Sequence, residues 1–516
     1  MEDVDTQPLN TAMAERAATP AATPAATSPR AGDAVGAAGA VGIIGGGWAG
    51  MAAALELAQA GRVVHVFEAA PVLGGRARRV ARRHPQVAGE LDNGQHLLLG
   101  AYRHTLALMR RAGVDPDAAL LRLPLQMAYA DGWRLQAPRL PAPWHLLGMG
   151  LTARGLGWRE RAALAQALSR LRAASDDDDA ADTDGAGANI GGETVAAWLA
   201  QAPSSLRERL WFPLCVAALN TPAEQADARV FRRVLRDSLL AARGDSDMLV
   251  PRRDLSRLFP EAAAHAIVAA GGTVRTGAAV QAISQSPHGW LLQTHAGRQE
   301  VAQLVVATAP RQAARLLAQV PHGPHQAALQ AAAAKLQAFD HVPIVTLYLN
   351  VGALRLPRPF LALDASAAAP GQFVFDRAAL STEPRASAAP DHDNVWSVVI
   401  SAADDAAALP QAELARRVRA QLATQLAPWI AGAAHLADAR GEFVIAERLA
   451  TFRCIPGLAR PGNDIGVPRL ALAGDYTDGR DGAYGPYPAT IEAATRSGSA
   501  AAALLQRERV PSAATA

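Results

Sequence analysis

The sequence predicts an α/β fold: one parallel-sheet domain assembled from three separated pieces of chain, with a second, α+β domain interleaved between them. Three observations predict it. Residues 41–68 read as strand, glycine loop, helix and strand; residues 249–310 as helix, strand, hairpin and buried strand; residues 470–502 as a short strand, a loop and a helix with a small-residue face. Two long insertions separate these pieces, and one carries "HVPIVTLYLNV" (341–351), a strand suited to a second sheet.

In the first piece Val41, Ile43 and Ile44 form a short apolar run suited to a strand buried on both faces. Gly45, Gly47 and Gly50 follow as G-x-G-x-x-G. Met51, Leu55 and Ala58 then recur at helical spacing, and Gly61 stands where a helix stops. A second strand, Val63 to Phe67, ends on Glu68. Each part has a physical role. Gly45 makes the turn, Gly47 lets a pyrophosphate approach the backbone, and Gly50 lets helix and strand pack closely. The helix N-terminus, at Trp48 and Ala49, offers N–H groups to phosphate, and Glu68 accepts from an adenosine ribose. The frame is a Rossmann-like dinucleotide site. A nicotinamide enzyme would lead from Glu68 into the next crossover. Here Gly74-Gly75-Arg76 instead puts flexible backbone and a cation beside the same pyrophosphate. This extension resembles the flavin amine oxidase and phytoene desaturase superfamily, and it implies FAD.

At 516 residues the chain fits two intertwined domains, and half its residues are hydrophobic. The formal charge is +3, Lys335 is the only lysine, and no block of basic residues stands out, which argues against a nucleic-acid partner. Cys215 and Cys454 are too few for a disulfide framework or a metal site, so no metal is expected. No run of about 18 apolar residues suggests a membrane span. Residues 1–38, rich in Ala, Thr and Pro and carrying Glu2, Asp3, Asp5 and Glu15, read as a disordered tail rather than a signal peptide. The expected location is the cytoplasm, with peripheral contact at the inner face of the cytoplasmic membrane as a further expectation. Residues 175–192, with Asp176 to Asp179 in a row, read as a flexible acidic loop.

The superfamily resemblance extends to the other two pieces. It implies that the backbone of Val280 brackets the adenine and that the carboxylate of Gly474-Asp475 binds the ribityl chain. It also implies that the helix starting at Ala489, Thr490 and Ile491 aims its N-terminus at the flavin pyrimidine. Ile491, Thr495, Gly498 and Ala502 form a small-residue face expected to pack on the sheet. The FAD domain is then 39–105, 240–310 and 465–508. The substrate domain is 106–239 and 311–464, and 509–516 form a C-terminal tail.

Five further stretches carry a sharper resemblance: "DNGQHLLLGAY" (92–102), "LWFPLCVAALNTP" (210–222), "GQFVFDR" (371–377), "ERLATFRCIPGLARP" (447–461) and "LALAGDYTDGRDGAYGPYPATIEAATRSG" (470–498). Together they are similar to the squalene-associated FAD-dependent family, the hydroxysqualene dehydroxylases, over about residues 40–508. The resemblance implies reduction of a C30 isoprenoid allylic alcohol to squalene for hopanoid or related lipids. Upstream squalene-pathway enzymes would be neighbours, and an electron-donating reductase or free reduced flavin the source of electrons. In the family the Gly-Asp strand runs almost directly into Pro-Ala-Thr-Ile-Glu; here residues 479–486 lengthen that loop, which bears on specificity.

The chemistry needs a group that protonates or hydrogen-bonds the leaving hydroxyl. His96 is the first candidate, with Gln95 orienting the hydroxyl and Tyr476 and Tyr484 as alternatives. Residues 141–161 mix Trp144, Leu147, Leu151 and Trp158 with Arg154, Arg159 and Arg161. They read either as an interfacial segment or as a buried lid. Rival functions are a carotenoid-type desaturase on the same scaffold, an amine oxidase, and a non-catalytic lipid escort.

Overall fold

The computed structural model describes residues 39–80, 87, 90–173, 192–380, 394–439, 441–479 and 485–508. Both tails, acidic residues 175–191 and Tyr484 lie outside these described residues.

The apolar run at the start of the described chain forms strand β1 (Val41–Ile44), buried at every position. Helix α1 (Trp48–Gln59) and strand β2 (Val64–Phe67) follow. Three later strands complete a five-stranded sheet: β3 (Thr273–Arg275), β4 (Gln303–Val306) and β5 (Leu470–Leu472). The order is β5-β4-β1-β2-β3. Every pairing is parallel, with Val41 opposite both Gln303 and Val64, and Leu304 opposite Leu470. Parallel strands aim their carboxyl ends at one edge, and β1 sits where connections leave in both directions. Ligands of such sheets bind at that edge. Gly45, Glu68, Thr308 and Gly474 each follow a strand and collect there.

Helix α2 (Ile491–Arg507) shows where small residues matter. A Cβ on Gly498 would lie 2.2 Å from the Ala49 carbonyl oxygen and 2.9 Å from the Ala52 Cβ. The small-residue face therefore packs chiefly on helix α1 and only secondarily on the sheet, which corrects the expectation of direct packing on the strands. Two buried helices in backbone contact need glycine at the crossing, because any side chain would pry them apart.

The second domain is built on an antiparallel sheet of strands 360–362, 373–376, 394–400, 341–352 and 442–452, in that order. The 341–352 strand is its longest member and the 394–400 strand is buried at every position. Its core includes Leu347, Leu349, Val374 and Trp396, with Val418 and Leu422 from the helix Gln411–Leu426. Among the described residues no helix is long and apolar enough to cross a membrane.

Candidate functional site: a dinucleotide cradle facing the second sheet

The glycine loop has the properties its spacing predicts. Gly45 has φ +111°, and a Cβ there would lie 2.5 Å from the Ala307 carbonyl oxygen. A Cβ on Gly50 would lie 1.9 Å from the Gly45 carbonyl oxygen, so helix α1 can start only with glycine at that turn. Gly47 differs: the nearest atom to a Cβ there is the Gly75 Cα at 3.7 Å. Space has been left over Gly47, bounded by the second glycine pair. Gly74 N–H donates to the Gly46 carbonyl at 2.9 Å, and Gly74 and Gly75 both take positive φ, so the two glycine loops form one cradle.

Glu68 closes one side. Its Oε2 accepts from Gly46 N at 2.5 Å and its Oε1 from Ala70 N at 2.7 Å. Each oxygen keeps a lone pair for a ribose hydroxyl. The turn before Val280 is tied to the same place, since Ala278 N donates to the Glu68 carbonyl at 2.8 Å. Trp48 is the first residue of helix α1 after the loop. Its indole is spent on the core, donating to the Ala77 carbonyl at 3.0 Å and packing on Phe259 at 5.3 Å. Ala49 is buried beneath it. At the other end Thr490 caps α2, its side chain accepting from Ala493 N at 3.1 Å. Ala489 precedes it, and Ile491 is buried in the first turn.

Arg76 and Asp475, 399 positions apart, form an ion pair, with Arg76 Nη2 at 2.7 Å from both carboxylate oxygens. Arg76 Nη1 also donates to the Ala450 carbonyl at 2.6 Å. The carboxylate, with only 7% of its side chain exposed, raises the guanidinium's pKa against the opposing effect of burial. In the chain alone, the cation expected beside a pyrophosphate thus has its charge met by the carboxylate expected to hold the ribityl chain.

Four further side chains lie around this pair. Asn93 donates to the Arg76 carbonyl at 3.2 Å and to Glu447 Oε2 at 2.8 Å. His96 is half-buried, with Nδ1 2.8 Å from the Gly94 carbonyl. Burial lowers its pKa, and the charge of Arg76 adds to the lowering. A carbonyl partner requires the proton on Nδ1, which leaves Nε2 as a lone-pair acceptor on a neutral ring. Gln95 is partly committed: its Oε1 accepts from Ser397 at 3.2 Å and its Nε2 donates to the His96 carbonyl. His341 stands near the same ion pair, its Nδ1 3.1 Å from the Phe339 carbonyl and its pKa lowered by burial and then by Arg76.

Tyr476 is 1% exposed, its hydroxyl has no hydrogen-bond partner among the described residues, and burial pushes its pKa up. A Cβ on Gly474 would lie 2.2 Å from its ring, so Gly474 is what lets the phenol lie flat against the strand end. Phe339 stacks on Phe452 at 5.5 Å and lies 6.3 Å from Tyr476. Thr308 and Thr346 also carry buried hydroxyls without partners among the described residues. The orphaned Thr308 hydroxyl, on the residue whose backbone N would lie 3.2 Å from a Cβ on Gly45, is what a dinucleotide bound in the open glycine cradle would satisfy, so the residues present fit the group.

The sequence alone assigns Asn93, Glu447 and His341 no role. No local pattern could, because the Asn93–Glu447 contact spans 354 positions. The available signal is the polar density of residues 92–96 for Asn93 and the placement of His341 and Glu447 at or within long apolar strands. Among the described residues no cluster of His, Cys, Asp or Glu is arranged to hold a metal.

A parallel sheet with a two-loop glycine cradle, an acid after β2 and a Gly-Asp at the third piece defines a flavin-dependent oxidoreductase. The model of the flavin containing amine oxidoreductase family matches residues 48–506, and the chain belongs to that family, with FAD as its cofactor. The chain is 28% identical over 495 residues to a hydroxysqualene dehydroxylase of Rhodopseudomonas palustris, covering 90% of this chain and 97% of that one. It is 27% identical over 500 residues to that of Sinorhizobium fredii, covering 90% and 98%. Among solved structures, an oxidoreductase from Methanosarcina mazei superposes with a TM-score of 0.63 at 14% identity, covering 91% of this chain and all of that one, a likeness of fold.

Proposed function

We propose that this flavoenzyme replaces the hydroxyl of the C30 allylic alcohol hydroxysqualene with hydrogen, releasing squalene and water, as a step toward hopanoid or related lipids. One observation carries the reading. Three of the stretches that set this chain apart within its superfamily meet at one ion pair: Asn93 touches Arg76 and Glu447, Arg76 reaches Ala450, and Arg76 holds Asp475. The similarity to two hydroxysqualene dehydroxylases over nine-tenths of the chain supports the same conclusion.

The residues that would hold FAD are Gly45, Gly47, Trp48, Ala49 and Gly50 at the pyrophosphate, Glu68 at the ribose, and Val280 at the adenine. Gly74, Gly75, Arg76, Gly474 and Asp475 would lie along the middle of the cofactor, with Ala489, Thr490 and Ile491 at the flavin end. When bound and reduced, FAD would supply a hydride equivalent. For the change to balance, the C–O electron pair would leave on oxygen, a proton delivered through the Tyr476 hydroxyl would make that oxygen water, and the hydride equivalent would complete the carbon.

In this reading the chain divides the polar work between two groups. Neutral His96 accepts from the substrate hydroxyl through Nε2 and fixes its direction, with Gln95 setting the loop that carries it. Tyr476, a protonated phenol without a partner among the described residues, donates toward the departing oxygen. The rings of Phe339 and Tyr476 would suit a transient allylic cation, because aromatic faces attract positive charge by roughly 0.5–2 kcal/mol, whereas Phe452 is taken up by the Arg460 guanidinium 4.3 Å from its ring. A dry site keeps water from recapturing that cation. The electrons come from a partner reductase or free reduced flavin.

Anaerobic mixing of photoreduced holoenzyme with hydroxysqualene tests the proposal. The expected result is substrate-dependent return of the oxidised flavin absorbance. Flavin that stays reduced with hydroxysqualene, or protein that binds no flavin, contradicts it.

A further inference from the structure

Residues 141–161 divide by side. In the helix Trp144–Thr152, Leu146 and Met149 are buried, whereas Trp144, Leu147 and Leu151 share the opposite face. Leu151 is 70% exposed, and Trp158, at the start of the next helix, is 82% exposed. This face is held rigidly. Arg161 donates to the carbonyls of Leu151 at 2.6 Å, Ala153 at 2.7 Å and Leu156 at 3.2 Å, and lies 5.7 Å from the Trp158 ring. Apolar residues this large, fixed in water by their own scaffold, mark a surface built to be covered.

The charge beside it says what covers it. Residues 139–161 contain four arginines against one acid, Glu160, which is occupied by Ser205 and by Gly157 N–H at 2.5 Å. Arg154 follows the apolar helix and pairs by backbone with Arg134 in both directions, at 2.8 and 3.1 Å. Both arginines, with Arg358, line a cavity of about 200 Å³ whose rim includes Trp429, 57% exposed. Among the described residues none of these three guanidinium groups has a carboxylate partner, and Arg358 donates only to the amide oxygens of Gln126 at 2.9 Å and Gln136 at 3.3 Å. The nearby acids Asp131 and Asp364 are both taken by Arg209, at 2.8 and 3.2 Å. Burial and the charges of Arg134 and Arg154 lower the Arg358 pKa, a repulsion that a bound anion would relieve.

We propose that this face docks on an anionic phospholipid membrane: Trp144, Leu147, Leu151 and Trp158 enter the interface, and Arg134, Arg154 and Arg358 take a headgroup phosphate. Tryptophan at the start of an apolar helix face and again at the start of the next helix, with arginines at the border, is the composition that partitions into the headgroup boundary. The inference does not rest on the reaction proposed above, because membrane binding is read without turnover.

Flotation of the full-length holoprotein tests it, using vesicles of phosphatidylcholine alone and of phosphatidylcholine mixed with phosphatidylglycerol. The wild type is expected to float with the mixed vesicles and less with the neutral ones, and added salt should weaken the difference. Leu151→Glu should abolish flotation on both. Replacing Arg134, Arg154 and Arg358 by Gln should remove the anionic preference, by roughly fivefold for each arginine, while weak neutral binding persists. Flavin content and thermal melting show that each variant is folded. The proposal is overturned if the wild type stays unbound with the mixed vesicles, or if both variants float as it does. It is equally overturned if sedimentation shows a wild-type dimer that Leu151→Glu dissociates without any vesicle binding, since a second copy would then cover the face.

Discussion

At His96 the distinction between acid and acceptor comes from one short contact, because the Gly94 carbonyl claims the Nδ1 proton while burial keeps the ring neutral. Activity that needs neutral His96 should be level from about pH 8 down to the ordinary imidazole range near 6.5 and fall only below it. A rate that climbs as pH drops through 6 would instead identify imidazolium as the proton donor. His96→Ala should lower kcat roughly 5- to 150-fold, the usual loss for one buried hydrogen bond of about 1–3 kcal/mol, with flavin content unchanged. Tyr476→Phe should cut kcat without moving flavin affinity, since no group among the described residues bonds that hydroxyl. At Arg76 the consequence is different. Arg76→Ala leaves the Asp475 carboxylate without an ion-pair partner among the described residues, which costs about 2 kcal/mol after discounting for the 32% exposure of the Arg76 side chain, and it removes a group proposed to hold the cofactor. Purified Arg76→Ala should therefore melt lower and carry less FAD; full flavin content at the wild-type melting temperature contradicts that account.

Among the elements, the crossing of α1 and α2 is where one methyl group decides the packing. Gly498→Ala places a Cβ 2.2 Å from the Ala49 carbonyl and should destabilise by about 1–3 kcal/mol, visible as a lower melting temperature and weaker flavin retention. An unchanged melting curve would mean the helices separate freely there. This element also marks the limit of what could be read from sequence. Periodicity and small residues identify the helix and its close-packed face, but Gly498 carries no sign that its partner is Ala49, far earlier in the chain. The glycine loop and the acid at Glu68 were legible because turn, helix start and acid are local, each fixed by the φ/ψ demand or the hydrogen-bonding need of a few adjacent residues. The Arg76–Asp475 pair and the Asn93–Glu447 contact were not, because only the closed sheet brings their ends together. The fold class was legible for a related reason: three pieces, each with a strand and turn of the same type, have few ways to form one parallel sheet. The division of residues 141–161 into a buried and an exposed side needed the neighbouring Pro138 and Trp133, against which Gly148 and Gly155 pack.

For the whole molecule, buried titratable groups set a direction for acid stability. His96, His104, His145 and His341 all have lowered pKa values, burial being the first cause of each. Below about pH 6.5 the unfolded chain takes up protons that these folded sites resist, so stability falls as pH drops through that window. Asp92 works the other way: burial raises its pKa to about 7, so the folded state gains a proton there first. Four imidazoles against one carboxyl should leave the denaturation midpoint lower at pH 5.5 than at pH 7.5, and a higher midpoint at pH 5.5 would contradict this balance. The same folded frame gives the reaction its logic, with a cofactor cradle at one sheet's carboxyl edge and polar groups from the second domain's strands placed against it. Most direct for the central claim is anaerobic turnover of hydroxysqualene by purified protein with photoreduced FAD, followed by mass spectrometry of the C30 lipids. Squalene in proportion to flavin reoxidised is the predicted result. Bound flavin with hydroxysqualene recovered unchanged would contradict it and favour an enzyme that removes hydride from an isoprenoid chain.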